Sequence, residues 1–274
     1  MTVGRFRTIF RVDKPLIAMC HLRALPGRPR HDAAAGMEAI VEALSADVAA
    51  LQDAGVDGLL FCNENDIPYQ LSVGPEISAG MAAVIGRLRS QIRKPFGVDI
   101  LWDPKAALAV ARATGAAFVR EVFTGVFESD LGMIEPQTGE LAGYRQAIGA
   151  EDIACFTNIT PEFSRSVAGR SVAERARGAA FLGFDAILIS GPAAGASIEM
   201  ADLTAARTAV PDLPLLANTG VNLANVREIL AHCDGVIVGT SLKVDGNTWN
   251  PVDPRRARQM VELVDGQRER TSVH

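Results

Sequence analysis

Acidic and basic side chains occur at the ends of short apolar segments in the first half of the chain. Glu64 and Asp66 follow one such segment, Gly58–Asn63, and Arg120 lies inside another, Phe118–Phe123. Paired acid and base groups transfer protons next to a carbonyl, and carboxylates are also ligands for divalent metal ions. The residues that we expect to be catalytic are His21, Glu64, Asp66, Asp99 and Arg120.

Several of these residues also have a structural interpretation. A lone histidine in an apolar segment, such as His21, is often a satisfied core residue. Arg120 and Glu121 are adjacent in a predicted strand, so only one of them points to a given face. Arg120 either holds a carboxylate or carbonyl oxygen of a ligand, or pairs with Glu121 or Asp99 and fills the interior.

Glycine-containing loops follow apolar segments in the second half of the chain. They read Ala217-Asn-Thr-Gly-Val-Asn222, Val238-Gly-Thr-Ser-Leu-Lys243 and Ser190-Gly-Pro-Ala-Ala-Gly195. Backbone N–H groups of such loops bind phosphate, and glycine lets the backbone approach the anion, although each glycine could instead serve a tight turn. We expect an anion between Gly220 and Gly239–Thr240. The substrate-binding candidates are Asn63, Asp130, Asn158, Ser190, Gly191, Asn218, Thr219, Gly220, Gly239, Thr240, Ser241 and Lys243.

The elements that position these residues are predicted from short apolar segments. Most are continuously apolar, as is typical of strands buried on both faces, and amphipathic, Ala-rich stretches separate them. The predicted strands are Leu16–Leu22, Gly58–Asn63, Phe96–Leu101, Phe118–Phe123, Ile153–Ile159, Ala186–Gly191, Leu215–Gly220 and Val236–Leu242. The predicted helices include Gly36–Ala54, Ser78–Ile92, Pro104–Thr114, Ser171–Leu182 and Asn222–Ala231.

The joints before the strands repeat. Gly55, Gly115 and Gly183 stand where a helix ends in a left-handed residue, and prolines begin other strands. This alternation predicts one (β/α)8 barrel over residues 1–274, of the phosphate-binding type, with an open doubly wound sheet as the alternative. A long loop, 124–149, follows the fourth strand and is expected to be functional or a surface embellishment.

Composition excludes several classes of function. The net charge is −5 and no basic run occurs, which argues against nucleic-acid binding. No segment is long and apolar enough to span a membrane, and the N-terminus lacks a signal pattern, so we expect a cytoplasmic protein with reduced cysteines. No GxGxxG or Walker motif occurs, so no nucleotide cofactor is expected. Ala-rich outer helices suggest a homo-oligomer.

Specific motifs connect the chain to a known family. They are Met19-Cys-His-Leu22 with Leu25-Pro-Gly27, Glu64-Asn-Asp66, Asp130-Leu-Gly132, Ser190-Gly191 with Gly195, and Val238-Gly-Thr-Ser-Leu-Lys-Val-Asp-Gly246 followed by Asn250-Pro-Val-Asp253. On these residues the chain resembles the BtpA/SgcQ family from about Pro15 to Asp253. The resemblance implies a phosphate-binding (β/α)8 barrel. One member of this family is linked to photosystem I assembly, and the genes of others lie beside sugar-phosphotransferase genes.

Two functions follow from these observations. The first is an enzyme acting on a small phosphorylated sugar or sugar acid by aldol cleavage, isomerisation or epimerisation. In such an enzyme, Glu64 or Asp66 could take a proton or bind a divalent metal ion. The second is a non-catalytic binding or membrane-complex assembly factor that keeps the barrel. Relatives tend to carry Lys-His after the fifth strand, where this chain reads Asn158-Ile-Thr-Pro161. A Schiff base from that position is therefore not available.

Overall fold

The computed structural model describes residues 3–193 and 196–272. Its centre is a closed barrel of parallel strands in the order β1-β11-β10-β9-β7-β4-β3-β2. The barrel strands are β1 Leu16–His21, β2 Gly58–Cys62, β3 Phe96–Asp99, β4 Phe118–Glu121, β7 Ala154–Asn158, β9 Ala186–Ile189, β10 Leu215–Ala217 and β11 Gly235–Val238. β1 pairs with β11, where Ala18 faces Val238, and also with β2. The predicted barrel is confirmed, because an open sheet would leave β1 unpaired on one side.

Helices alternate with the barrel strands and cover the outside of the sheet. Within the described residues they are α1 Val3–Phe10, α2 Gly36–Ala54, α3 Pro75–Leu88, α4 Pro104–Thr114, α5 Thr138–Ala147, α6 Val172–Phe181, α7 Met200–Ala209, α8 Val226–His232 and α9 Pro254–Ser272. The start of α4 has a clear local cause, because the Asp103 side chain accepts from the Ala106 N–H and Pro104 occupies the first turn. α6 begins with a capping box between Ser171 and Glu174.

The glycine joints adopt the predicted backbone. Gly55, Gly115 and Gly183 have φ angles of 99°, 76° and 80°. Glycine adopts this left-handed conformation without the steric cost of a Cβ atom, which lets each helix turn directly into the next strand. The four cysteines are free and buried, in agreement with the expected reduced thiols.

Aromatic rings fill the lower part of the barrel. Phe118 and Phe156 point inward and stack with their ring centroids 4.8 Å apart. Below them lies α1, whose Phe10 ring is 5.6 Å from Phe118 and whose Phe6 ring is 5.8 Å from Phe156. α1 is not among the predicted helices. The helix closes the base of the barrel, so the interior opens toward the carboxyl ends of the strands.

The segment predicted as one long loop is largely ordered into regular elements. Strands β5 Phe127–Ser129 and β6 Gly132–Ile134 form a hairpin, and α5 follows them within the same segment. β5 also pairs with β8 Ser164–Ser166, which comes after β7 in the sequence. Three-residue strands are too short for a periodic pattern, and their third partner is distant in sequence. The long-loop prediction is therefore corrected.

Candidate active site

The strands turn polar at their last inward-facing position. Alternate residues of a strand face the same side, and the apolar residues inside the barrel include Met19, Phe118, Phe156 and Leu216. At or just after the carboxyl end of each strand, the last inward-facing residue is polar or glycine in seven strands and is a cysteine in the eighth. These residues are His21, Cys62, Asp99, Arg120, Asn158, Ser190, Asn218 and Gly239. The backbone of the barrel therefore gathers side chains from all its strands at one end.

A cavity of about 310 Å³ opens at this end. The predicted site residues that line it are His21, Glu64, Asp99, Arg120, Asn218, Thr219, Gly220, Gly239, Thr240 and Ser241. Lining residues that sequence analysis missed include Tyr69, Trp102, Glu162, Asn222 and Arg256. The cavity thus joins the expected catalytic group to the two expected anion loops.

Arg120 is held by two carboxylates. Its Nη1 donates to Asp99 Oδ2 at 2.9 Å, and its Nη2 donates to Glu162 Oε1 at 3.1 Å. All three side chains are largely buried. Of the two predicted roles of Arg120, the structure shows the pairing with Asp99. Arg120 also lines the cavity.

Glu162 lies in the loop after β7 and organises the neighbouring amides. Its Oε2 accepts from Asn158 Nδ2 at 3.2 Å, its Oε1 accepts from Asn218 Nδ2 at 3.2 Å, and the Thr219 hydroxyl donates to Oε1. Ser190 completes this group, since its Oγ accepts from both amides at 3.0 Å. Asn158 and Ser190 therefore support Glu162 from below. The signal that could have found Glu162 is a carboxylate close after a polar strand end.

Asp99 and Glu121 form a second buried contact. Glu121 accepts from the Trp102 and Val122 N–H groups at 3.0 and 2.9 Å, and its side chain also contacts Asp99. Burial, followed by the charge of Asp99, raises the pKa of Glu121 well above its usual range. Two carboxyl groups in buried contact disfavour a second negative charge, in agreement with the raised pKa of Glu121.

Glu64 stands at the centre of an acid–base group. Its carboxylate lies 3.6 Å from the Cys62 Sγ, 3.4 Å from the Tyr69 hydroxyl and 3.9 Å from His21 Nε2. Burial, followed by the charge of Asp99, raises the pKa of Glu64 to about 7. Burial and then the charge of Lys243 lower the pKa of His21 to about 3, so His21 is neutral near pH 7. The pair is therefore a carboxyl group that titrates near neutrality beside an uncharged imidazole.

The opposite end of the cavity is formed by the loops after β10 and β11 and by α9. Gly220 has a φ of 95°, and a Cβ atom on it would collide with the Ala196 carbonyl. Ser241 Oγ is buried and has no hydrogen-bond partner within the described ranges. Arg256 comes from α9, and its Nε donates to the Ser241 carbonyl at 2.7 Å. A free hydroxyl and a guanidinium therefore meet beside the glycine loops.

Gly239 also makes room for His21. A Cβ atom at this position would lie 3.1 Å from His21 Nε2 and 3.2 Å from Met19 Cγ. A large side chain in place of Gly239 would consequently displace His21. Gly195, expected in the loop after β9, lies outside the described residues.

Some predicted site residues have structural roles instead. Asp66 Oδ1 accepts from the Leu25 N–H at 2.8 Å and its Oδ2 from Asn63 Nδ2 at 3.0 Å, while Asn63 Oδ1 accepts from the Leu101 N–H at 2.9 Å. These bonds tie together the loops after β1, β2 and β3. The expectation that Asp66 faces the cavity with His21 is corrected, because both its oxygens are directed to this loop network.

Three further candidates lie away from the cavity. Lys243 is buried outside the barrel wall, where its Nζ donates to Asp47 Oδ2 at 2.7 Å. Asp130 is exposed at the turn between β5 and β6, and Gly191 packs against Ala196. The positions of Lys243 and Asp66 are corrected for the same reason: nearness to a strand end in sequence does not determine where a side chain points.

The described part of the chain contains neither a metal-binding cluster nor a membrane-spanning helix. In residues 3–193 and 196–272, no group of three or more His, Cys, Asp or Glu side chains is arranged to hold a metal ion. No helix in these ranges has the length and apolar character needed to cross a bilayer.

Comparison with solved structures places the fold among known barrels. N-(5'-phosphoribosyl)anthranilate isomerase from Pyrococcus furiosus aligns with a TM-score of 0.53 at 11% identity, covering 92% of this chain and 99% of that chain. Thiamine phosphate pyrophosphorylase from Pyrococcus furiosus aligns with a TM-score of 0.56 at 16% identity, covering 92% and 96%. At these identities the similarity shows the fold alone.

Sequence comparison is more specific. The putative sgc region protein SgcQ of Escherichia coli (strain K12) is 43% identical over 259 residues, covering 94% of this chain and 97% of that protein. The photosystem I biogenesis protein BtpA of Synechocystis is 30% identical over 259 residues, covering 93% and 89%. A sequence model of the BtpA family matches residues 12–266. With most of its length matched in this way, the chain belongs to the BtpA family.

Proposed function

We propose that the chain is an enzyme that acts on a small phosphorylated sugar or sugar acid at the open end of the barrel. The reaction class is proton transfer next to a carbonyl, as in aldol cleavage, isomerisation or epimerisation. The observation that carries the proposal is that one cavity joins Glu64 and His21 to the anion-type loops at Gly220 and Gly239.

The phosphate is assigned to the end formed by β10, β11 and α9. Ser241 Oγ supplies a hydroxyl donor that has no partner among the described residues, and the Arg256 guanidinium supplies positive charge. Charge-assisted hydrogen bonds of this kind are stronger than neutral ones. The loops that contain Gly220 and Gly239 line the same end of the cavity.

Glu64 is assigned as the acid–base catalyst. A carboxyl group whose pKa is about 7 is present in both protonation states near neutrality, so it can remove a proton from carbon and return one. The neutral His21 imidazole, 3.9 Å away, can hydrogen-bond the carbonyl oxygen as charge develops on it. Lys243 is occupied by Asp47, so no Schiff base is assigned to it.

The names of similar proteins are consistent with this assignment. Two structural neighbours are named for phosphorylated compounds, a phosphoribosyl anthranilate and thiamine phosphate. Their chemistry is transferred to this chain only as part of the proposal, because their sequence identity supports the fold and not the reaction.

The first experiment tests the phosphate site. Sugar phosphates are screened by thermal shift with and without Mg²⁺, since a ligand at 100 times its Kd adds about 2.7 kcal/mol of stability. Arg256→Gln should lower the affinity for inorganic phosphate about 10- to 100-fold, because a charged hydrogen bond is lost. Arg255→Gln is the matched control, because its side chain is 83% exposed. Equal affinity in the two variants contradicts the phosphate assignment.

The second experiment tests the catalyst. Glu64→Gln should abolish turnover of any substrate found in the screen, with phosphate affinity nearly intact. Glu42→Gln, at an exposed position of α2, should retain full activity. A fully active Glu64→Gln enzyme would remove Glu64 from the mechanism.

A second candidate function is a non-catalytic binding or assembly factor. The strands β5, β6 and β8 form a small sheet, and on its outer face Val126, Met133 and Val167 are 43%, 44% and 56% exposed. Exposed apolar faces are often interaction sites. The name of the Synechocystis relative, a photosystem I biogenesis protein, points in the same direction. Failure of every phosphorylated sugar to stabilise the chain favours this candidate over the enzyme.

A further inference from the structure

We propose that the end of the cavity beside Arg120 binds a neutral, hydroxyl-bearing part of the ligand and disfavours a carboxylate. This inference rests on the proposed function and narrows it to phosphorylated sugars, with phosphorylated sugar acids rejected. Glu162, with Asp99, is the residue that determines this preference.

The first step is that Arg120 has little capacity left for a ligand carboxylate. A guanidinium binds a carboxylate best with two parallel N–H donors. Here Nη1 is directed to Asp99 and Nη2 to Glu162, at 2.9 and 3.1 Å, and the Nε atom is shielded from solvent. A ligand carboxylate would have to displace one of these buried carboxylates.

The second step concerns charge. Three acidic side chains, Glu64, Asp99 and Glu162, line this end of the cavity together with the single guanidinium of Arg120. All four groups are largely buried, so solvent screens their charges weakly. An additional carboxylate would therefore experience more repulsion than attraction. The opposite end, with Arg256, has no such excess of acidic groups in its lining.

The third step is that the same groups suit hydroxyls. A hydroxyl donates to a carboxylate oxygen and accepts from an N–H group. Glu64 lines this end of the cavity and supplies acceptor oxygens, and the Tyr69 hydroxyl lies beside it at 3.4 Å. A ligand hydroxyl can therefore hydrogen-bond here without adding a negative charge to the three acidic side chains.

The test compares pairs of ligands that differ in the oxidation state of the carbon farthest from phosphate, which is a carboxylate only in the acid. Glucose 6-phosphate is compared with 6-phosphogluconate, and ribose 5-phosphate with 5-phosphoribonate, alongside inorganic phosphate. Calorimetry at pH 8 should show at least one sugar phosphate binding tenfold or more tightly than its acid. In Glu162→Gln the preference should fall below threefold, while Glu135→Gln, at an exposed position beyond β6, should keep it.

The outcomes separate the two proposals. If inorganic phosphate binds but neither sugar phosphate is preferred over its acid, this inference is overturned and the proposed function stands. If neither phosphate nor any phosphorylated compound binds, the proposed function fails and the inference fails with it. The wild-type comparison needs no variant, so it decides even if Glu162→Gln does not fold.

Discussion

At the scale of single residues, Glu64 links the chemistry of the cavity to the stability of the fold. The carboxyl group is buried beside Cys62 and Tyr69, and its pKa rises from 4.5 to about 7. A raised pKa means that the folded chain holds this proton more tightly than the unfolded chain does. The contribution to the free energy of unfolding is therefore complete below pH 4.5 and is lost as the pH rises to 7.

Glu64→Gln should consequently stabilise the chain at high pH only. The amide cannot ionise, so the variant avoids the cost of a buried charge, on the order of 2 kcal/mol after allowing for partial exposure. Urea unfolding at pH 8 should show the variant as more stable than the wild type, and at pH 4 the two should be equal. Glu42→Gln serves as the exposed control. A difference that is the same at both pH values would contradict the raised pKa.

At the scale of elements, the strands and their joints were predictable because their signals are local. A continuous apolar segment that follows a Gly or Pro joint specifies a buried strand within about ten residues. Gly55 and Gly115 behave as this predicts. α1 was missed because its eight residues are too few to show a clear helical period, and its two core phenylalanines are buried only by contact with the barrel base.

The candidate site was predictable to the extent that it follows strand alternation. His21, Asp99 and Arg120 occupy inward positions at strand ends and reach the cavity. Glu162 and Arg256 were missed because a loop and the last helix bring them there through contacts distant in sequence. The side chains of other candidates are taken up by loop and helix contacts that no local pattern indicates.

One of these contacts fastens β11 to α2. Lys243, immediately after the short helical turn that follows β11, is buried against Asp47 of α2, and Asp47 Oδ1 accepts from the Val252 N–H at 2.8 Å. Asp47→Asn leaves a buried ammonium without its counter-ion and should cost about 3–5 kcal/mol. Lys243→Met in the same background should recover most of this loss. Urea unfolding at pH 7 measures both effects.

The control for this pair is an exposed one. Arg93 and Asp53 form an ion pair whose side chains are 62% and 69% exposed, so Asp53→Asn should change stability by less than about 1 kcal/mol. Similar losses in Asp47→Asn and Asp53→Asn would contradict the view that burial makes the Lys243 contact important.

At the scale of the whole molecule, the outer helices bear on association. α3 leaves Ala79, Ala83 and Gly86 exposed along its length. Small residues permit close approach of another backbone, and we predict a homo-oligomer on this basis. Light scattering at micromolar concentration should give a mass of at least 58 kDa, twice the 29.1 kDa chain. A mass of one chain would contradict the prediction.

The barrel also separates stability from function along its axis. The base is an aromatic cluster of Phe6, Phe10, Phe118 and Phe156, whereas the polar cavity lies at the other end. In barrels of this kind the carboxyl ends of the strands carry the chemistry and the opposite face carries stability. A change at the base should therefore reach the cavity only through global unfolding.

Phe10→Ala tests this separation. The Phe10 ring is buried, and truncating a buried phenylalanine costs about 3–5 kcal/mol because it leaves a cavity. Arg7→Ala, on the exposed side of α1, should cost less than about 0.5 kcal/mol. Below the unfolding transition, calorimetry should give Phe10→Ala the wild-type affinity for inorganic phosphate within twofold. A tenfold loss of affinity in the folded variant would contradict this separation and would mean that α1 and the loops after β10 and β11 are coupled through the packed interior of the barrel.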